Sequence, residues 1–286
     1  MIKNLITFLK IYAEDKLALF FLFILCSLLF FVFIGPFFTL QNPYDLAQLS
    51  ILDSLMPPMS KSFDDEFFYL GTDDQGRDLV SAIIYGLRIS LFVGLLSVII
   101  ALFIGIVLGI ISAYYGGIID SIIMRIADMV LAMPSFLIAL VLLSILGRGL
   151  ENVIIALVMS QWATFARVIR SSALSEKEKD YFNSAKCLCL PQHRIIFGHL
   201  LPNCLPPIIV LSTMNLAFAI TLEASLSFLG VGLPITEPSL GLIISNGYEA
   251  GALKILKKKK NLRLIDASKF TINNIIKLNS VNESLL

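Results

Sequence analysis

The ionisable side chains that could do chemistry in this chain are few, and they interrupt or border strongly apolar stretches. Glu223 lies inside such a stretch, where a carboxylate pairs with a cation, faces a polar path or stabilises packing. We expect a structural role, because Glu223 lies near the end of its stretch where water is close; the functional alternatives stay open. Asp73, Arg77 and Asp78 lie together before another apolar stretch, and we predict that they form a local network of charges and turns with a structural role.

The chain contains no recognisable catalytic constellation. Its only two histidines, His193 and His199, accompany no serine–aspartate arrangement. Cys187 and Cys189 are two residues apart, which matches neither a zinc site nor a redox pair. The GxxxxGK[ST] motif that binds nucleotide phosphates is also missing from the sequence. We therefore expect no enzyme activity, no catalytic residue, no metal and no cofactor.

The composition is that of a membrane protein. The sequence is 57% hydrophobic and 15% charged, with a mean hydropathy of +0.85, which is far more apolar than a soluble domain. A net charge of +1 gives no reason to expect nucleic-acid binding. The N-terminal apolar run is too long for the core of a signal peptide and has no clear cleavage site, so we interpret it as a retained span.

Hydropathy predicts an all-α, polytopic fold with five membrane spans, because about 20 apolar residues cross a bilayer. The predicted spans are residues 17–40, 89–113, 129–147, 150–166 and 200–232. Pro134 would kink or start the third span. Gly105 and Gly109 form a pair of small residues one turn apart, which suits close contact with another helix.

Basic residues predict the orientation, since cytoplasmic segments of membrane proteins are rich in Lys and Arg. We place residues 1–16, the connection 114–128 and the segment 167–199 in the cytoplasm, and residues 41–88 in the periplasm. The cytoplasmic cations are Lys3, Lys10, Lys16, Arg125, Arg167, Arg170, Lys177, Lys179, Lys186 and Arg194. We also expect an ion pair between Arg125 and Asp128 across one helical turn.

The segment 167–199 is too long and too charged for a simple turn between two spans. Tyr181, Ala185 and Leu188 recur with helical spacing and would present one apolar ridge to a cytoplasmic partner. The alternative is an amphipathic helix that lies on lipid headgroups.

The C-terminal residues 253–286 break the charge pattern. Five spans place everything after Gly232 outside, yet this tail is rich in Lys, with four consecutive lysines at Lys257–Lys260. Either the tail is an exported appendage, or a final span has been lost, and we favour a frameshift within the lysine run. A basic tail lying on anionic lipid is the plainer alternative.

Three stretches resemble the dipeptide/oligopeptide/nickel permease family of ATP-driven (ABC) importers. Residues 70–94, LGTDDQGRDLVSAIIYGLRISLFVG, are similar to the GTD-x-x-GRD segment that precedes its second span. Residues 180–203, DYFNSAKCLCLPQHRIIFGHLLPN, are similar to its cytoplasmic loop, and residues 223–232, EASLSFLGVG, to the end of its fifth span. Together with the order of the spans, the resemblance covers about residues 15–252.

The resemblance implies a multi-pass subunit of the bacterial inner membrane, with residues 89–252 as the permease domain and a sixth span expected. Its implied partners are a second permease, two ATP-binding subunits, a periplasmic or lipid-anchored solute-binding protein and the bilayer. The motif places the loop residues as follows: Asn183, Ser184 and Ala185 at the E-A-A positions, Cys189 at the glycine, and His199, Leu201 and Pro202 at the I, L and P positions. A side chain at that glycine resists a left-handed helix end by about 1 kcal/mol, so either Cys189 weakens docking or Leu190-Pro191 ends the helix instead.

The function implied by the resemblance is import of dipeptides or oligopeptides. Import of nickel or another small solute stays open, as does a truncated, non-transporting remnant. A transporter driven by an ion gradient is less consistent with the sequence, because such folds are built from internal repeats and this chain shows none.

Overall fold

The computed structural model describes residues 15–45, 49–62, 67–188 and 190–258. Lys3, Lys10, Cys189 and the tail from residue 259 onward therefore lie outside the described residues, and the predictions made for them stay predictions. The chain divides into two compact units, residues 1–245 and 246–286. Apart from the last part of α9, which belongs to the second unit, the features discussed below lie in the first unit.

Helices dominate the described ranges, with two very short strands in the segment after the first helix. The helices are α1 (Lys16–Ile34), α2 (Leu79–Tyr115), α3 (Gly117–Ala132), α4 (Ser135–Leu146), α5 (Leu150–Lys177), α6 (Asp180–Cys187), α7 (Gln192–Ile195), α8 (Leu201–Phe228) and α9 (Leu240–Lys258). Strands β1 (Ser60–Lys61) and β2 (Phe67–Phe68) pair antiparallel, 3₁₀ turns cover Gly35–Phe37 and Ile51–Asp53, and a π-helical turn, Ile196–Leu200, joins α7 to α8.

Within the described ranges, four helical segments are long and apolar enough to cross a membrane. They are α1 with its following turn, α2, α5 and the continuous run from α7 through α8. A fifth span exists only if the bent pair α3 and α4 is counted as one. The all-α, polytopic prediction is therefore confirmed, and the third of the five predicted spans is the one that is broken into two helices.

The third predicted span, residues 129–147, is not a straight helix. α3 and α4 meet at an angle of 91°. Met133 is extended (φ −97°, ψ 140°) and precedes Pro134, whose ring disfavours helical geometry at the preceding residue. α4 has 12 residues, or about 18 Å, which is shorter than the ~30 Å hydrocarbon core. The connection 114–128, expected as a simple link, is mostly α3.

Two further spans are longer than the sequence predicted. α2 begins at Leu79, so part of the predicted periplasmic segment 41–88 is helical. α5 continues to Lys177 and takes in the first third of the predicted segment 167–199. The apolar face of α5 continues past Arg167 because Ile169 and Ala173 are fully buried, whereas the charges that suggested an end lie on the other faces.

The last predicted span ends earlier than expected, and a helix follows it. α8 stops at Phe228 rather than near Gly232, and α9 begins at Leu240 within a part of the chain to which we had assigned no element.

The centre of the bundle is the contact between α2 and α5. Gly105 and Gly109 of α2 face α5 so closely that a Cβ at Gly105 would lie 2.4 Å from Cβ of Phe165, and one at Gly109 would lie 2.7 Å from the carbonyl oxygen of Ala166. Phe165 and Ala166 are fully buried in the same core. The small-residue pair seen in the sequence is therefore what lets the two backbones approach.

Substitution of Gly105 tests this contact. We expect Gly105→Ala to lower stability by about 1–3 kcal/mol, because the added methyl overpacks a site with no free volume. The measurement is the thermal unfolding midpoint of the purified protein in detergent. Gly198→Ala is the matched control, since a Cβ there would meet only Arg194 Cγ at 3.9 Å. Equal shifts in the two variants would contradict the close approach.

Candidate functional site

α6 is a short helix that follows α5 after a break of two residues, at one end of the bundle. It has eight residues, Asp180–Cys187. Phe182 and Ala185, one turn apart, are buried and belong to the main hydrophobic core. The opposite face exposes Asn183, Ser184 and Cys187. The helix is thus attached to the bundle by one face and exposes the other.

The apolar ridge that the sequence suggested on α6 is wrong in its composition. Ala185 is buried inside the protein and Leu188 lies just past the helix end with 73% of its surface exposed. Phe182, which the sequence analysis did not single out, supplies the buried face with Ala185. An i, i+3 pair of apolar residues was available in the sequence as the signal, but two such patterns overlap there and only the packing selects one.

A hydrogen-bonded corner fixes α6 to the end of α5. The Tyr181 hydroxyl donates to Oε2 of Glu176 at 2.6 Å, and Lys179 Nζ lies 2.7 Å from Oε1 of the same carboxylate. Burial, followed by the contact with Glu176, raises the pKa of Tyr181 to about 12, while Asn203 acts in the opposite direction. Tyr181 therefore stays protonated and remains a donor at neutral pH.

The same end of α5 is also tied to α2 and α3. Lys177 Nζ donates to the carbonyl oxygen of Ala113 at 2.6 Å, where the last turn of α2 carries unpaired carbonyls. Arg170 makes a two-pronged contact with Asp120 of α3, with Nε–Oδ1 at 2.5 Å and Nη2–Oδ2 at 2.6 Å. Ser112 of α2 also donates to Asp120. These contacts join α2, α3 and α5 over the last turns of α5, the helix that precedes α6.

A second ion pair links α3 to α5 nearer the surface. Asp128 contacts Arg167, and not Arg125 as the local spacing had suggested. Both side chains are more than half exposed, at 62% and 52%, whereas Asp120 and Arg170 are 20% and 32% exposed. Helical spacing finds partners only within one helix. The pairing of Asp128 with Arg167, 39 positions apart, depends on how α3 and α5 pack.

The remaining loop residues lie where the chain re-enters the bundle. His199 falls in the π-helical turn, and Leu201 and Pro202 open α8. His199 and Leu201 are half-buried, and Pro202 is exposed. Asn203 Nδ2 donates to the backbone carbonyl of His199 at 2.6 Å. Because Asn203 also acts on the pKa of Tyr181, the start of α8 lies beside α6.

Asp73, Arg77 and Asp78 lie at the opposite end of the bundle, where the structure brings them together. Arg77 is almost completely buried, and its Nε lies 2.7 Å from Oδ2 of Asp73. Oδ1 of Asp73 accepts from the backbone N–H groups of Gln75 and Arg77, each at 2.9 Å. Asp78 caps α2 by accepting from the backbone and the hydroxyl of Ser81 at 2.9 and 2.6 Å.

This network also connects distant parts of the chain. Arg77 Nη1 donates to the carbonyl of Ile235, which follows α8, at 3.3 Å. The backbone N–H of Asp78 donates to Oε1 of Gln41, which follows α1, at 3.2 Å. The start of α2, the end of α8 and the end of the first span therefore meet at one end, which the charge pattern predicts to be the outer one.

Glu223 lies apart from both clusters, between α2 and α8. Its carboxylate is fully buried and accepts from the hydroxyls of Ser90 and Ser227, each at 2.8 Å. No cation among the described residues pairs with it. Gly94 of α2 makes the approach possible, since a Cβ there would lie 2.7 Å from Cγ1 of Ile220. The arrangement suits a hydrogen-bonded link between two helices.

Known proteins match this chain over most of its length. Residues 105–256 match the family described as binding-protein-dependent transport system inner membrane component. The dipeptide transport system permease protein of Alkalihalophilus pseudofirmus is 38% identical over 236 residues, which is 82% of this chain and 75% of the relative. The dipeptide permease of Haemophilus influenzae is 37% identical over 71% of this chain and 69% of its own length. The oligopeptide transport system permease protein of Bacillus subtilis is 35% identical over 84% and 75%.

The two ion pairs between α3 and α5 give a test with an internal control. We expect Asp120→Asn to lower stability by about 1.5–3 kcal/mol, because it weakens a charge-assisted contact that is largely shielded from water. Asp128→Asn makes the same chemical change on the same helix at an exposed pair, and its cost should stay below about 1 kcal/mol. Thermal unfolding of both variants in detergent checks the difference. A larger loss for Asp128→Asn would contradict the assignment.

Proposed function

Because the chain belongs to the family of binding-protein-dependent transport system inner membrane components, we propose that it is a membrane-spanning subunit of an ATP-driven importer of short peptides. The observation that carries the proposal is the similarity to dipeptide and oligopeptide permeases over most of the chain. The family consists of multi-pass transport permeases of the inner membrane, which are not enzymes. The apolar helices α1, α2, α5 and α8 agree with this.

The family implies that the chain works with a second permease, with ATPase subunits and with a substrate-binding protein. We propose the full set as one hetero-dimeric pair of permeases, two ATP-binding subunits and a periplasmic or lipid-anchored solute-binding protein. The names of the relatives favour peptides over nickel as the solute. None of the described residues suggests the length or sequence of the peptide.

α6 is the element that we propose for docking on an ATPase subunit. Its outer face, with Asn183 and Ser184, is exposed, and Leu188 extends this surface past the helix end. Its inner face is anchored by Phe182 and Ala185 in the core. A helix anchored in this way stays attached to the bundle when a docked ATPase subunit moves it, and so it transmits the displacement. A flexible loop would instead absorb the displacement.

The contacts around α6 support a direct mechanical route into the bundle. Because the Tyr181 hydroxyl is hydrogen-bonded to Glu176 at the end of α5, displacement of α6 must move α5 or break this partly buried contact. α5 is one continuous helix of 28 residues, or about 42 Å, so it carries the displacement across the bilayer. Its close contact with α2 at Gly105, and its ion pair from Arg170 to Asp120 of α3, would move those helices with it.

The other predicted site residues have supporting roles in this proposal. The segment that leads from α6 into α8 is positioned by His199, Leu201 and Pro202. Asp73, Arg77 and Asp78 hold the outer ends of the helices together while the inner ends are pushed. Glu223 links α2 to α8 through Ser90, and we assign it to structure rather than to solute contact.

Bulky substitution on α6 tests the docking role. We expect Ser184→Trp to abolish most peptide uptake and the stimulation of ATP hydrolysis by the loaded binding protein, because the indole would obstruct an exposed contact face. The measurement uses the complete importer in proteoliposomes. Ser121→Trp, at an exposed position of α3, is the control and should retain both activities. Normal coupling by a stably assembled Ser184→Trp importer would show that α6 does not dock.

Two substitutions at Glu223 distinguish structure from solute contact. Glu223→Gln keeps one oxygen acceptor for the two serine hydroxyls, whereas Glu223→Leu removes both and leaves buried donors unpaired, at a cost of about 1–3 kcal/mol each. We therefore expect uptake per ATP to be normal for the Gln variant and the melting temperature to fall mainly in the Leu variant. A folded Gln variant that hydrolyses ATP but does not transport would instead assign the carboxylate to the solute path.

A further inference from the structure

The start of α8 lacks several of the backbone hydrogen bonds that hold a helix together. Pro202, Pro206 and Pro207 lie within its first seven residues. A proline has no backbone N–H, so Pro206 and Pro207 cannot donate to the carbonyls four residues earlier, and each ring also crowds that carbonyl. The residue before a proline is likewise disfavoured in helical geometry. This part of α8 is therefore held in a helix by fewer backbone bonds than the part that follows it.

The π-helical turn before α8 loosens the same region. The backbone N–H of Leu201 donates to the carbonyl of Ile196, five residues earlier, which makes a wider ring than that of an α-helix. Asn203 Nδ2 donates to the carbonyl of His199 at 2.6 Å, so a side chain takes part in pairing the backbone of this turn. Sharp bends in helices occur at prolines and at π-helical turns. The run 196–207 combines both.

Packing within the chain does not account for the two adjacent prolines. Pro206 and Pro207 are exposed, whereas Cys204 and Ile208 beside them are buried. The two rings therefore fill no space in the core of this chain. Because each ring crowds a carbonyl on its own side, the helix opens on the exposed side and bends toward the face that carries Cys204 and Ile208.

α5, the other helix next to α6, has no such weak point. Its 28 residues contain neither proline nor glycine. In the most apolar stretch of α5, 67% of the residues are buried, compared with 17% in that of the run from α7 through α8. α6 thus lies between a continuous, well-packed helix and a helix that is weakened at its start.

The two ends of α8 are attached to different parts of the bundle. At its start, Asn203 approaches Tyr181 of α6. Toward its other end, Glu223 accepts a hydrogen bond from Ser90 of α2 at 2.8 Å. If α6 moves while the contact with α2 holds, α8 has to tilt as a whole or bend. A bend costs least where backbone hydrogen bonds are already missing.

We propose that residues 196–207 form a hinge at which α8 bends during the transport cycle. The hinge lets the start of α8 follow α6, while the outer part of the helix stays against α2. A displacement of α6 is then passed on along α5 and not along α8. This inference rests on the docking role proposed for α6, and it adds which of the two neighbouring helices transmits the displacement.

Distances between spin labels in the complete importer test the hinge. One pair, Phe197→Cys with Thr213→Cys, spans the hinge; the matched pair on α5, Met159→Cys with Ser175→Cys, is also 16 residues apart, and all four positions are exposed. The labels are placed in a variant without other cysteines. Electron paramagnetic resonance then compares the resting importer with the importer trapped with ATP and loaded binding protein.

We expect the distance across the hinge to shift by a few ångströms between the two states and the distance along α5 to stay the same. An unchanged distance across the hinge would overturn the proposal. Equal shifts in the two pairs would also overturn it, because α5 would then bend as much as α8.

Restoring the missing hydrogen-bond donors gives a second test. The double variant Pro206→Ala, Pro207→Ala gains two backbone N–H groups, so its melting temperature should rise. It should also lose most of the distance shift across the hinge and lower peptide uptake per ATP hydrolysed several-fold. Thr221→Ala is the control, since it raises helix propensity at an exposed position of α8 outside the hinge and should leave uptake per ATP unchanged. A full distance shift and normal uptake per ATP in the double variant would overturn the hinge.

These measurements separate the hinge from the docking role of α6. Loss of coupling in Ser184→Trp, with no shift across the hinge in the labelled importer, would keep α6 as the docking helix and reject the hinge. Normal coupling in Ser184→Trp would reject docking, and the label distances would still decide whether α8 bends between the two states.

Discussion

The close contact between α2 and α5 is the constraint on which the rest of this structure depends. In a bilayer the surrounding lipid is as apolar as the helix surfaces, so helices associate through packing and hydrogen bonds rather than through the hydrophobic effect. Gly105 and Gly109 remove the side chains that would keep the two backbones apart. α5 then carries α6 at one end, and α2 carries the cap at Asp78 and the link at Ser90.

Polar contacts fix the relative positions of helices that packing alone would allow to slide past one another. They are concentrated at the two ends of the bundle, where Arg170 meets Asp120 and Arg77 meets Asp73, with the Glu223 carboxylate as a buried link toward the outer end. An isolated charge in an apolar interior is expensive, so each of these groups has a partner. In the proposed mechanism, this distribution would let a displacement of α6 pass into α5 at one end of the bundle while the helices stay connected at the other end.

Part of the candidate site could be predicted from sequence because its signals are local. The run after Arg167 is too charged for a turn, which indicated a cytoplasmic helix, and the sequence around Arg77 indicated a network near a membrane surface. Which face of α6 is buried could not be predicted: Phe182 on the helix and Leu188 just past its end are both apolar, and only the packing of the helices buries the former and exposes the latter. The role of Cys189 stays a prediction.

The sequence by itself determined that the chain is an all-helical membrane protein, where its apolar stretches lie and which glycines allow close contact, because hydropathy and residue size are local properties. Only the tertiary structure decided that α5 continues past Arg167, that α3 and α4 meet at 91°, and that Asp128 pairs with Arg167 instead of Arg125. Each of these depends on which helix faces which. That is set by packing between segments far apart in the chain, which no local pattern encodes.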